Sequence, residues 1–156
     1  MANQQHLALL KQGTDAWNRW RSNNPKIRPD LRGAILSCAW LKGANLSHVN
    51  LYGAYLYGAS LLQANLSGAN LNYTNLKQVD LSGANLNRAK LKGAILSGAS
   101  LKDADLSRAN LKGAVLWGVD LNNADLSCAN LKGVIAELTT SEEARIKDAE
   151  MLGVQA

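Results

Sequence analysis

Few residues in this 156-residue chain could carry out acid–base, nucleophilic or metal chemistry. It has two histidines, His6 and His48, and two cysteines, Cys38 and Cys128. Catalytic triads and metal sites need several such side chains close to one another. The sequence contains no phosphate-loop motif and no metal-ligand spacing. We therefore expect no enzyme activity, no metal site and no cofactor.

A cluster of carboxylates is the remaining candidate for chemistry. Asp103, Asp105, Asp120 and Asp125 lie within 23 residues of one another, and paired carboxylates can act as general acid and base. The surrounding chain, however, places Asn or Asp at regular intervals. We interpret the four aspartates as solvated residues of a repeated turn.

The element that positions all these residues is a repeat of five residues. Leu occupies every fifth position from Leu31 to Leu131, 21 times in succession. The preceding residue is Asn or Asp in 13 of these 21 repeats, and Ala usually stands one position earlier. Eleven of the 13 glycines lie two residues after a Leu. The repeating unit is therefore A-(N/D)-L-x-G.

A period of five excludes a regular helix and a flat strand. In an α-helix the leucines would spread around all sides, and in a strand they would alternate between faces. A short extended step followed by a corner fits, because Ala and Leu then point inward, the Asn or Asp points outward and Gly makes the bend. Each pentapeptide is thus predicted to form one side of a polygonal coil.

The number of sides follows from residues that would stack on successive coils. At a spacing of 20 the residues before Leu form uniform sets, such as Asn45, Asn65 and Asn85, whereas a spacing of 15 mixes apolar and polar residues. We predict an all-β solenoid, a four-sided parallel β-helix of about five coils over residues 30–134. Its interior contains stacked leucines: Leu31, Leu51, Leu71, Leu81, Leu91, Leu111 and Leu131.

This pattern resembles that of the pentapeptide repeat protein family, A-(D/N)-L-x-x, over about two thirds of the chain. The resemblance implies a right-handed quadrilateral β-helix. One departure is that Leu fills every central site, where family members often insert Phe. The flanking sequence W-N-x-W-R-x-x-N-P-x-I-x-P-D-L is similar to that preceding the repeats in several cyanobacterial members, which implies a cyanobacterial source.

The two ends have other compositions. Residues 1–29 are predicted to contain one helix over about residues 4–22 whose apolar face covers the first coil, with ligand binding by its tryptophans as the alternative. That face consists of Leu7, Leu10, Trp17 and Trp20. Residues 135–156 are predicted to contain a short helix starting at Thr140 or Ser141. It could cap the last coil, dimerise or remain mobile.

The outer surface carries a column of apolar residues spaced by 20. Exposed apolar stripes with aromatic residues often mark protein contacts, so we expect this surface to bind a partner or a second subunit. Alternatively, these residues simply suit strands, or a terminal segment covers them. The candidate surface comprises Ile35, Tyr52, Tyr55, Tyr57, Tyr73, Ile95, Val115, Trp117 and Ile135.

Basic residues form the second candidate surface. They are Arg32, Lys92, Lys112 and Lys132 in one column, with Arg88 and Arg108 in another. Such residues can simply solubilise the rod or can bind anions. Several members of the resembled family mimic duplex DNA and inhibit DNA gyrase, but residues 30–134 here have 10 basic and six acidic residues, opposite to a DNA mimic.

The sequence as a whole predicts a non-enzymatic, cytoplasmic solenoid that presents a rigid protein–protein interaction surface. The partner is an unidentified protein, and the chain is expected to be a monomer or a homodimer. No apolar run approaches the roughly 20 residues that span a bilayer, so no membrane partner is expected. Nucleic acid is disfavoured, and a regulator of DNA gyrase or topoisomerase is the alternative function.

Overall fold

The structure of the protein, a computed structural model, describes residues 1–137 and Ile146. A ladder of eighteen parallel β-bridges organises it, from Asp30 paired with Asn50 to Val115 paired with Ile135. Every bridge joins residues that are 20 apart in the chain. Each side is a single bridged residue between turns, so four pentapeptides make one coil, as the period-20 columns predict.

Hydrogen bonds between coils run along the axis of the rod in a repeated pattern. The Leu31 amide donates to the Asn50 carbonyl of the next coil at 2.7 Å, and the Gly33 amide donates to the Tyr52 carbonyl at 2.9 Å. In the other direction, the Tyr55 amide donates to the Ala34 carbonyl at 2.9 Å. Three bonds per side therefore tie each coil to its neighbour.

The interior consists of stacked leucine and alanine side chains. The seven leucines named above are at most 2% exposed, and Leu81 in the middle of the rod is completely buried. Thr74 is the one polar residue in the Ala position, and its buried hydroxyl donates to the Leu71 carbonyl. Because that hydroxyl is paired, the core accommodates it without an unsatisfied polar group.

The corners between the sides have left-handed backbone conformations. All 21 residues that stand two after a repeat leucine have a positive φ, and only eleven of them are glycine. The other ten have φ between 54° and 59° and include Cys38, His48 and Tyr73. The ladder on both sides of each corner thus imposes a conformation that non-glycine residues rarely adopt.

Two helices precede the ladder, α1 (Gln4–Lys11) and α2 (Thr14–Asn23). The prediction of one continuous helix over residues 4–22 is therefore wrong. The chain breaks at Gly13, whose φ of 108° lies outside the helical region and suits glycine. The predicted C-terminal helix lies outside the described residues, except for Ile146, which is helical.

The helices attach to the first coil through apolar side chains that join its core and through polar side chains that bond to its backbone. The Trp17 indole donates to the Asn45 carbonyl at 2.8 Å, and Trp17 is completely buried. The Arg21 guanidinium donates to the Ile27 carbonyl at 2.6 Å and to the Ser47 carbonyl at 2.9 Å. Leu10 is buried, whereas Leu7 and Trp20 are half-buried. The sequence pattern gave no signal for the role of Arg21.

Candidate interaction surface

The apolar column, defined as Ile35, Tyr55, Ile95, Val115 and Ile135, lies along one side of the ladder. Asn75 interrupts it, since bridges join Tyr55 to Asn75 and Asn75 to Ile95. Ile35 is 71% exposed, and Tyr55 and Ile135 are about half exposed, at 53% and 52%. Ile95 and Val115 are half-buried between their neighbours. In the described part of the chain, the column is thus an outward-facing apolar strip that Asn75 interrupts once.

Aromatic residues flank this column, and several are held by specific contacts. The Tyr52 and Tyr73 rings meet edge to face with centroids 5.5 Å apart, and the Lys92 ammonium lies 6.0 Å from the Tyr73 centroid. The Tyr57 hydroxyl donates to the Gln78 amide oxygen at 2.8 Å. Trp117 is 52% exposed. These contacts fix the orientation of the Tyr52, Tyr57 and Tyr73 side chains.

The residue before each leucine has a structural task that the sequence analysis missed. In all 13 repeats with Asn or Asp at this position, a side-chain Oδ1 accepts the backbone N–H two residues later. The distance is 3.0 Å from Asn65 to the Ser67 amide. This Asx-turn stabilises the corner. The 13 acceptors are Asp30, Asn45, Asn50, Asn65, Asn70, Asn75, Asp80, Asn85, Asp105, Asn110, Asp120, Asp125 and Asn130.

The residues of the apolar column lack this hydrogen bond. Eight repeats lack Asn or Asp before the leucine, and four of the eight belong to the column, while Trp40 is a fifth large apolar residue. An apolar side chain at this position cannot accept a hydrogen bond from the backbone N–H two residues later. It also points outward and not into the core. The apolar residues on this side therefore do not stabilise the turn that follows them.

Trp40 is an exposed residue that the sequence analysis left out of the candidate surface. It is 83% exposed and lies on the side that follows Ile35 in the first coil. Its position before a repeat leucine was visible in the sequence. It was missed because no second apolar residue follows it at a spacing of 20, where Ser60, Asp80 and Ser100 stand.

The basic residues are exposed on two columns. Arg32 pairs with Asp30 at 2.7 Å, and this hydrogen-bonded pair holds the pKa of Asp30 below, and that of Arg32 above, its ordinary value. Lys92, Lys112 and Lys132 make no ion pair within the described residues. One corner of the coil separates them from the apolar column. Arg88 and Arg108 are exposed at corners of another column, in line with His48.

The residues capable of chemistry are dispersed or structurally engaged. His6 accepts the Asp30 amide at 3.1 Å, and the His48 ring lies over Gly68. Cys38 and Cys128 are exposed free thiols. A hydrogen bond from the Ser127 hydroxyl lowers the pKa of the Asp125 carboxyl, which serves its own turn.

Among residues 1–137 and Ile146, no group of three His, Cys, Asp or Glu side chains could hold a metal ion. None of the described helices has the length and apolar character needed to cross a membrane. A cleft of about 730 Å³ lies between α1 and the first coil, lined in part by Leu7, Lys11, Ile35 and Tyr52.

The fold and surface together define a class of protein, a four-sided parallel β-solenoid with an exposed apolar side. The family model for pentapeptide repeats matches residues 30–61, 59–98 and 99–135, in eight copies. The chain belongs to the pentapeptide repeat family. The proteins of this family are right-handed quadrilateral β-helices, and they are generally structural or interaction proteins. The predicted family and β-helical class are thereby confirmed.

Two solved structures illustrate the similarity. A pentapeptide repeat protein from the Arabidopsis thaliana thylakoid lumen is 26% identical, with 77% of this chain and 72% of that chain covered and a TM-score of 0.57. A pentapeptide repeat protein from the cyanobacterium Cyanothece 51142 is 30% identical, with 77% and 93% covered and a TM-score of 0.53. No curated protein matches the sequence.

Proposed function

We propose that this protein is a non-enzymatic solenoid whose apolar column, with its flanking aromatic residues, is a rigid surface for binding another protein. The main support is that one side of the rod carries exposed or half-buried Ile, Tyr and Val, where most other repeats carry a turn-stabilising Asn or Asp. Apolar side chains exposed to water are unfavourable, and these side chains do not aid the turn. Binding to a partner removes them from water.

Two physical properties of the surface suit this role. Tyr and Trp combine a large apolar area with a polar atom, which makes them frequent anchors in interfaces. Tyr55, Tyr57 and Trp117 are each 44–53% exposed. The hydrogen-bonded ladder beneath them holds the strip in place before binding, so association loses little conformational entropy.

The double variant Tyr55→Ser plus Val115→Ser tests the proposal. We expect affinity capture from the source organism to lose the partner that the wild-type protein retains, by at least tenfold in recovered amount. If the partner is a second copy, sedimentation velocity will instead show conversion of a dimer to a monomer. Neither residue is part of the core, so the melting temperature should change by only a few degrees.

The matched control is Lys102→Ser plus Asn122→Ser, two exposed residues in another column of the same rod. It should retain the partner. The proposal is wrong if the Tyr55 and Val115 variant captures the same proteins and has the same oligomeric state as the wild type.

An alternative function, regulation of a topoisomerase or binding of nucleic acid, is favoured by the basic residues alone. Lys92, Lys112 and Lys132 are exposed and free of ion pairs within the described chain. If they bound duplex DNA, affinity would fall steeply with added salt. Absence of salt-sensitive binding, together with no inhibition in a gyrase supercoiling assay, would eliminate this alternative.

We also propose that the chain divides into an N-terminal capping unit (residues 1–29), a β-helix of about five coils (residues 30–134) and a C-terminal segment (residues 135–156). The hydrogen bonds of Trp17 and Arg21 to the first coil support a capping role for the first unit. The bridge of Ile135 to Val115 extends the ladder one residue past the second boundary. The cytoplasmic location stays a prediction.

A further inference from the structure

At the N-terminal end of the rod, the first coil exposes one set of backbone groups. In every later coil, the same groups are hydrogen-bonded to the preceding coil. On every side these are the N–H and C=O of the residue before the leucine, and the C=O two residues later. In the second coil they are satisfied: the Tyr55 amide donates to the Ala34 carbonyl, and the Tyr55 and Tyr57 carbonyls accept from Leu36 and Cys38. The first coil has no preceding coil.

The N-terminal helices replace that missing coil on two of the four sides. On one side, the Asp30 amide donates to His6 Nδ1 at 3.1 Å and the Asp30 carbonyl accepts the Asn3 amide at 2.9 Å. On another, the Asn45 amide donates to Asn18 Oδ1 at 2.8 Å and its carbonyl accepts from the Trp17 indole. The Ser47 carbonyl also accepts from the Arg21 guanidinium at 2.9 Å, so all three groups of the Asn45 side are paired. On the Asp30 side the amide and carbonyl of Asp30 are paired.

The other two sides of the first coil are left open. The amides and carbonyls of Ile35 and Trp40, and the Ser37 and Lys42 carbonyls two residues later, have no partner among the described residues. Together they present two amides and four carbonyls along this edge of the first coil, which we call the open rim. An unpaired row of this kind is a template for a further strand.

Side chains around this open rim indicate what such a strand would contain. Ile35 and Trp40 are the two most exposed large apolar residues of the repeat region, at 71% and 83%. Lys11 and Lys42 border the rim, are exposed and form no ion pair within the described chain. The rim therefore offers backbone pairing, two apolar contacts and two unpaired positive charges.

We propose that the Ile35 and Trp40 sides of the first coil bind an extended, acidic peptide segment of a partner protein, which adds a strand to the open edge of the rod. The backbone pattern requires an extended segment, because it must donate to the Ile35 and Trp40 carbonyls and accept from their amides. The two lysines favour acidic residues in that segment. This site shares only Ile35 with the apolar column and does not rest on the proposed function.

The first test follows individual backbone amides by NMR hydrogen exchange. In the free protein the Ile35 and Trp40 amides should exchange much faster than the paired amides of Tyr55 and Ser60 above them. The probe is a synthetic peptide with the sequence of residues 119–127, which has two aspartates and no basic residue. At saturation it should slow exchange at Ile35 and Trp40 at least tenfold.

Proline variants separate backbone pairing from other contacts. Ile35→Pro and Trp40→Pro each remove an amide that is unpaired in the free protein, so they cost no internal hydrogen bond and block the added strand. Each should weaken peptide binding, measured by fluorescence anisotropy, at least tenfold. Ile35→Ala keeps the amide and should stay within about threefold of the wild type. A peptide with both aspartates replaced by lysine should bind at least fivefold more weakly.

Several results would overturn the proposal. They are equal peptide binding by the wild-type and the folded proline variants, slow exchange of both amides in the free protein, or no binding of the peptide at millimolar concentration. Protection that grows with protein concentration alone would assign the rim to a second copy instead. If Ile35→Pro does not fold, Trp40→Pro and the exchange data decide whether the peptide pairs with this edge. The Tyr55→Ser plus Val115→Ser variant should still bind the peptide, so this site and the apolar column fail independently.

Discussion

At the scale of single residues, the position before each leucine connects folding with surface chemistry. Asn or Asp here accepts the amide two residues later, and the corner that follows has a positive φ whether or not it is glycine. The side-chain acceptor stabilises a turn that the backbone would otherwise adopt at some cost. Where Ile, Tyr or Val stands instead, the turn relies on the ladder alone.

Asn65→Ala tests the contribution of one such side chain. Removing the acceptor of the Ser67 amide should lower the free energy of unfolding by about 1 kcal/mol, measured by urea denaturation. Asn65→Asp should be nearly neutral because it keeps the oxygen. Ser60→Ala, at the same position of the previous repeat but without a turn bond, is the control. Equal effects of Asn65→Ala and Ser60→Ala would refute the role of the Asx-turn.

Glycine is required at some corners for space and at others only for conformation. A Cβ at Gly93 would lie 2.7 Å from the Tyr73 ring, whereas one at Gly113 would meet nothing within 4 Å, although both have similar φ. Gly113→Ala should therefore cost about 1 kcal/mol for its left-handed backbone, and Gly93→Ala should cost clearly more.

The excess cost at Gly93 should depend on the Tyr73 ring. Adding Tyr73→Ala to Gly93→Ala is expected to bring the loss of unfolding free energy close to that of Gly113→Ala, in a double-mutant comparison by thermal or urea denaturation. Identical stabilities of the two single glycine variants would show that the ring moves aside freely.

At the scale of elements, the N-terminal helices are joined to the β-helix by directed hydrogen bonds. Arg21 is central because its two terminal nitrogens reach the Ile27 and Ser47 carbonyls, which lie on different segments. Burial lowers the pKa of Arg21, and no carboxylate compensates its charge within hydrogen-bonding distance in the described residues. The Ile27 and Ser47 carbonyls and the Ser47 hydroxyl hold this guanidinium in place.

Arg21→Lys should loosen the attachment of both helices. A lysine cannot reach two carbonyls with the same planar geometry, so we expect a loss of about 1–3 kcal/mol in unfolding free energy. Faster amide exchange in α1 and α2 should accompany it. Arg19→Lys, an exposed neighbour without a described partner, is the control. Unchanged stability of Arg21→Lys would mean that Trp17 and Asn18 suffice.

The sequence could predict the β-helix because one period determines both the core and the number of sides. Because coils of 20 residues stack on one another, Leu81 is buried in the middle of the rod. The same stacking brings Tyr52 and Tyr73, which lie on successive coils, into contact. Contacts outside the repeat have no such period. The break at Gly13, the reach of Arg21 and the isolated Trp40 depend on tertiary packing at the first coil, which local patterns do not encode.

At the scale of the whole molecule, stability depends on an uninterrupted stack of leucines. Leu81→Asp places a charge in the fully buried centre of the rod, where nothing compensates it. We expect loss of the cooperative transition in circular dichroism or loss of soluble expression. Ser37→Asp, exposed on the outer surface, should have little effect. Unchanged melting of Leu81→Asp would contradict the β-helix itself.

We expect the apolar column of the whole rod to contact another protein in the cell. The most direct test of this contact is a photo-crosslinking amino acid placed at Val115 or Ile95, compared with the same amino acid at Lys102 or Asn122, with adducts detected after irradiation in cells of the source organism. We predict a discrete crosslinked species from the two column positions and none from the other two. No adduct from Val115 and Ile95, or the same adducts from all four positions, would show that the apolar column is not a protein-binding surface.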